Sequence, residues 1–71
     1  MNVENLSRAA GINDELHELS HAVSLLKSGC EIRVYEIETN YEVIRSYDIR
    51  KSLIRAIEER MLSLNKEAEK L

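Results

Sequence analysis

The spacing of apolar side chains changes twice along this chain. Between positions 12 and 26, Ile12, Leu16, Leu19, Val23 and Leu26 recur at intervals of four, three, four and three. That is the seam of an amphipathic helix able to pack in coiled-coil fashion. Asn13 suits the N-cap, Asp14 and Glu15 put negative charge where the helix dipole favours it, and Gly29 supplies a C′ stop after Lys27 and Ser28. Residues 3–10 (VENLSRAA) are also helix-compatible. An interior glycine costs only about 1 kcal/mol, so Gly11 either bends one helix or separates two. The pattern predicts a main helix over about 13–28, with residues 1–11 as a separate short helix or a flexible arm.

After Cys30 the period shortens to two. Residues 31–38 (EIRVYEIE) alternate apolar and charged side chains, and 41–47 (YEVIRSY) return as a second strand. Thr39-Asn40 can form the tight turn between them, because Asn tolerates positive φ. A two-residue loop pairs Ile32 with Tyr47 and Tyr35 with Ile44, whereas a three-residue loop pairs Ile37 with Val43. Either register leaves apolar side chains on both faces. A two-stranded hairpin is not stable alone in water, so something must cover it.

Beyond the hairpin the helical period returns. Asp48 is a good N-cap, and Ile54, Ile57, Met61, Leu64, Ala68 and Leu71 step by threes and fours, with Leu53 and Leu62 widening the stripe. A helix from about 49 to the C-terminus would be about 34 Å long, more than a compact monomer of 71 residues can bury. The reading is therefore an α+β protein of one domain, 1–71, ordered helix, β-hairpin, long C-terminal helix (αββα). It predicts a homo-oligomer packed through the heptad-patterned helices.

Composition narrows the means of stabilisation. A core this small seldom supplies more than about 3–5 kcal/mol, so staples or partners are needed. Cys30 is the single cysteine, which excludes an internal disulfide and a Cys-rich zinc site. Disorder is excluded by 44% hydrophobic residues at a net charge of −3. No apolar run approaches the roughly 20 residues of a membrane span. Charges at Glu4, Arg8, Asp14, Glu15 and Glu18 interrupt any secretory segment. A lone cysteine without an export signal points to a reducing cytoplasm.

Charge is unevenly placed. Residues 1–44 are strongly acidic, whereas 45–55 hold Arg45, Arg50, Lys51 and Arg55 against Asp48 alone. One reading is that opposite halves attract across a self-interface. The other is an anion site. Basic residues in a first helical turn oppose the dipole and so want another reason, while free N–H groups there favour phosphate. Arg45, Arg50, Lys51 and Arg55 would supply charge, Ser52 a hydroxyl, and Tyr35 and Tyr47 aromatic faces. On this reading Arg50→Glu abolishes binding and leaves the assembly intact.

His17-Glu18-Leu19-Ser20-His21 has the H-E-x-x-H spacing that places two zinc ligands and a general base on one helix. There is no third histidine, and Glu38 or Glu42 could serve only if the hairpin folded over the helix. His17 and His21 are therefore read as the edge of a helix interface, with no metal and no cofactor expected. Glycines at 11 and 29 alone leave no phosphate loop. No nucleophile triad can be arranged, so an enzyme is not expected. A pI near 5.3 opposes duplex DNA.

Two heptad-bearing helices around a short hairpin, ending in the Lys/Glu-rich EERMLSLNKEAEKL, form a layout that resembles small phage and prophage accessory proteins. Such proteins include inhibitors of host factors and oligomeric sponges that sequester nucleotide signals of bacterial immunity. The resemblance implies an anti-defence role in the host cytoplasm and assigns no individual residues. With the basic cluster, it predicts a non-enzymatic homo-oligomer that sequesters a phosphate-bearing ligand such as a nucleotide signal. The alternative is an inhibitor or adaptor that offers Glu4, Asp14, Glu15 and Glu18 to a host protein.

Overall fold

The computed structural model describes residues 2–71 as α1 (Val3–Lys27), β1 (Ile32–Ile37), β2 (Asn40–Ile44) and α2 (Tyr47–Glu69). This is the α+β, αββα layout that the periodicity predicts. The two helices run antiparallel against each other, and the hairpin stands at the end where α1 stops and α2 starts.

α1 is one continuous helix, which corrects the expected start at Asn13. Its N-cap is Asn2, whose side chain accepts from the Asn5 N–H at 2.8 Å. Residues 3–11 are therefore neither a separate helix nor an arm, and Met1 lies outside the described residues. Gly11 is bridged because the turns before it have work to do: Asn5 and Ala9 are half-buried, and Arg8 forks onto Glu67 of α2. Those contacts outweigh the roughly 1 kcal/mol cost of one glycine.

At its other end α1 closes on a Schellman motif. Gly29 adopts φ 89°, its N–H donates to the Leu26 carbonyl at 3.3 Å, and the Cys30 N–H donates to Leu25 at 3.2 Å. The predicted glycine stop is thus realised at Gly29.

Ile12 and Leu64, 1% and 0% exposed, anchor the contact between the helices, with Val23 and Leu26 also buried. Leu16, Leu19, Ile54, Ile57 and Met61 are half-buried along the same seam, but Ala68 is exposed. One flank is closed by two Arg–carboxylate forks, Arg8 to Glu67 at 2.6 and 2.7 Å and Arg60 to Glu15 at 2.8 and 3.2 Å. The opposite flank carries Lys27–Glu58 at 3.2 Å.

α2 starts two residues earlier than expected. Ser46, not Asp48, is the N-cap and accepts from the Ile49 N–H at 3.3 Å. Tyr47 is consequently the first residue of the helix rather than the end of a strand. The hairpin register also differs from both expected registers: Ile32 pairs with Ile44, Arg33 with Val43, Val34 with Glu42 and Tyr35 with Tyr41. The turn falls at Glu38-Thr39, and the register shifts between Tyr35 and Ile37. Glu36 is the extra residue of this bulge, and it accepts from the Asn40 side chain at 2.6 Å.

Candidate functional site

The basic segment 45–55 is divided among three surroundings. Arg50 points inward, onto the end of α1. Its guanidinium donates through Nη1 to the Leu26 carbonyl at 2.9 Å and through Nη2 to the Cys30 carbonyl. Leu26 and Cys30 belong to the Schellman turn, so Arg50 binds the start of α2 to the stop of α1. Helix C-termini attract cations because their last carbonyls are unpaired. This is one reason for a basic side chain in the first turn of α2. Arg50→Glu would set a carboxylate against two carbonyl oxygens, so its loss of folding would say nothing about a ligand.

Tyr47, Lys51 and Arg55 stand four residues apart on the outer side of α2, with Ser52 adjacent, and all four are exposed. The Lys51 ammonium sits 5.5 Å from the Tyr47 ring centre, a cation–π contact. Arg45, also exposed, borders an open cleft of about 400 Å³ between the end of α1 and the base of the hairpin, lined by Gly29, Cys30, Glu31, Val43 and Arg50. Cys30 itself is a half-buried free thiol.

The cations differ in what holds them. Arg8, Arg33 and Arg60 each fork onto a carboxylate, and Arg50 is held by carbonyls. Arg45, Lys51 and Arg55, like Lys66 and Lys70 further along α2, have no carboxylate partner among the described residues. The ion pairs perturb titration in the expected sense. Hydrogen bonds from Arg60 and Arg8 hold the Glu15 and Glu67 carboxyls below their ordinary value, while Arg8 and Arg60 are pushed up by the same bonds.

Tyr35 lies away from α2, on the hairpin, in company that the sequence reading did not assign to it. Its ring centre is 5.3 Å from that of Tyr41. Arg33 lies 4.9 Å over the Tyr41 ring, donates to the Tyr35 hydroxyl at 3.4 Å and forks onto Glu31. The Tyr35 hydroxyl and then Glu31 raise the Arg33 pKa above its ordinary value. The pairing of Tyr35 with Tyr41 and of Arg33 with Val43 sets Arg33, Tyr35 and Tyr41 side by side on one sheet face. The sequence signal for it was the alternation of Arg33 with Tyr35.

His17 and His21 are exposed on α1 beside Asp14 and Glu18. No group of three or more His, Cys, Asp or Glu side chains that could hold a metal occurs among the described residues. Glu38 and Glu42 stay with the hairpin, which lies along neither helix. Among the described residues, no helix is long and apolar enough to cross a membrane.

No family model matches this chain, and neither a curated protein nor a solved structure matches it.

Proposed function

We propose that this is a small non-catalytic, homo-oligomeric protein that sequesters a phosphate-bearing ligand of nucleotide size at the junction of the hairpin and α2. One observation carries the reading: of the five Lys and Arg side chains held by neither a carboxylate nor a carbonyl among the described residues, Arg45, Lys51 and Arg55 fall within one eleven-residue stretch, apart from Lys66 and Lys70 at the far end of α2. Unpaired arginines offer forked donors to phosphate, and Tyr47 beside Lys51 offers a ring for a base. Ser52 adds a hydroxyl on the same exposed turn. Arg50 contributes by fixing the start of α2 rather than by touching the ligand. An anti-defence role, removing a nucleotide signal in a host cytoplasm, is the biological form of this proposal that the layout suggests.

Calorimetric titration with inorganic phosphate, a mononucleotide and a dinucleotide tests it. Binding of a nucleotide is expected, weakened about tenfold or more by Arg55→Ala or Lys51→Ala, the loss of one charge-assisted bond. No heat with any of the three ligands would remove the proposal.

The hairpin favours a second reading, an inhibitor or adaptor of another protein. Val34 and Ile37 are 55% and 62% exposed, and Tyr35 and Tyr41 are open as well. An apolar and aromatic surface of this kind is characteristic of protein contacts.

A further inference from the structure

The hairpin is a two-stranded sheet with two open edges. Beyond β1 with β2 and α1 with α2, no pair of elements packs extensively among the described residues. Among the described residues, no other backbone hydrogen bond reaches 32–44. A sheet of two strands is marginal in water and gains stability from further strands, and an open edge is a template for another chain.

The two edges are unequal. β1 is bulged at Glu36, and a bulge bends the strand and blunts its edge. β2 pairs regularly from Tyr41 to Ile44. Two-fold pairing of β2 with its own copy must centre on one residue, so few registers exist. Centring on Glu42 sets Glu42 against the partner's Glu42, a like-charge pair directly opposite. Centring on Ile44 runs the pairing into Ser46, which is committed as the cap of α2. Centring on Val43 opposes Val43 to itself, Glu42 to the partner's Ile44, and Tyr41 to the partner's Arg45.

We infer that a second copy of this chain adds to the β2 edge about a two-fold axis through Val43, forming a four-stranded antiparallel sheet. The inference rests on the homo-oligomeric part of the reading above and names its surface, which is the hairpin rather than the helical seam expected from sequence. It also finds a partner for Arg45. Tyr41 already holds Tyr35 and Arg33 on its own chain, and the partner's Arg45 would flank it from the other strand. Arg33, Tyr41 and the partner's Arg45 would then alternate across the sheet, twice, as a surface no single chain possesses. A planar anionic ligand fits an alternation of rings and guanidinium groups.

Cross-linking tests the register. In a Cys30→Ser background, the axis residue of an antiparallel pair approaches its copy to about 4.5–5.5 Å between Cα atoms, within disulfide range. Val43→Cys is expected to oxidise to a covalent dimer. Glu42→Cys, Val34→Cys on the β1 edge and Leu62→Cys on the exposed side of α2 are expected to cross-link more slowly. In the unsubstituted protein, hydrogen exchange of amides 41–45 should slow as concentration rises. Exchange that is independent of concentration while a dimer forms would overturn the inference even if a cysteine variant fails to fold. A dimer that cross-links best through Leu62, Val34 or Glu42 overturns the β2 register and leaves the homo-oligomer standing. A monomer by native mass spectrometry at all concentrations overturns both.

Discussion

Removing the Arg50 guanidinium should cost this fold a large share of its stability. Arg50→Met keeps the aliphatic stem and deletes the donors to Leu26 and Cys30. Hydrogen bonds from a charged group are worth about 1.5–3 kcal/mol each. The site is only partly buried, and the Leu26 carbonyl keeps the Gly29 N–H, so the pair is worth about 2–3 kcal/mol, at or just below the low end for two such bonds. A domain this small holds about 3–5 kcal/mol in total. At about 4–8 °C per kcal/mol, the midpoint of thermal unfolding should fall by about 10–20 °C. Far-ultraviolet circular dichroism at matched protein concentration reads it, since association makes the midpoint concentration-dependent. Arg50→Lys should fall between the two, because a single ammonium cannot fork to both carbonyls. A midpoint for Arg50→Met within about 3 °C of the parent would refute the clamp.

The two glycines should respond with opposite signs. Gly11→Ala meets open space inside a helix and should stabilise by about 0.5–1 kcal/mol, whereas Gly29→Ala, equally unobstructed but at φ 89°, should destabilise by about 1–2 kcal/mol; denaturant titration separates them. Acid should loosen the helix pair. The Glu15 and Glu67 carboxyls are held low in the folded chain, so their contribution is complete above the unfolded value of about 4.3 and is lost as pH falls through the folded one. The melting midpoint should therefore drop on acidification below about pH 4, and the drop should shrink in Glu15→Gln and Glu67→Gln, which a pH series of melts would show. Arg55→Ala should leave the melting midpoint where it was while weakening nucleotide binding, so an equal loss of both would assign Arg55 to the fold.

The helices were legible because their apolar stripes report burial directly: Ile12, Val23, Leu26 and Leu64 were all read as seam positions and are the buried core. Caps were less legible. Asn13 and Asp48 have the right chemistry, but Asn2 and Ser46 stand where the chain actually turns, and tertiary contacts such as Arg8–Glu67 decide that. The hairpin register was hidden by Glu36, since a bulge adds one residue without changing composition. The same shift hid the grouping of Arg33 with Tyr35 and Tyr41. In the basic segment, the residue types were visible but their division was not. Only the helix stop at Gly29 shows that Arg50 is engaged with carbonyls while Arg45, Lys51 and Arg55 are left open.

The two forks on the closed flank do more than add attraction. Exposed ion pairs contribute little free energy one by one, yet these two are crossed in sign: α1 offers Arg8 then Glu15, and α2 answers with Glu67 and Arg60. The apolar seam alone repeats by sevens and would tolerate sliding one helix by a heptad. Such a slide brings Arg8 to Arg60 in one direction and Glu15 to Glu67 in the other. Both misalignments oppose like charges, so the crossed pairs act as a vernier that admits one alignment of the helices. The alignment of α1 with α2 fixes where the two helix ends meet, and with it the place at which the hairpin is presented.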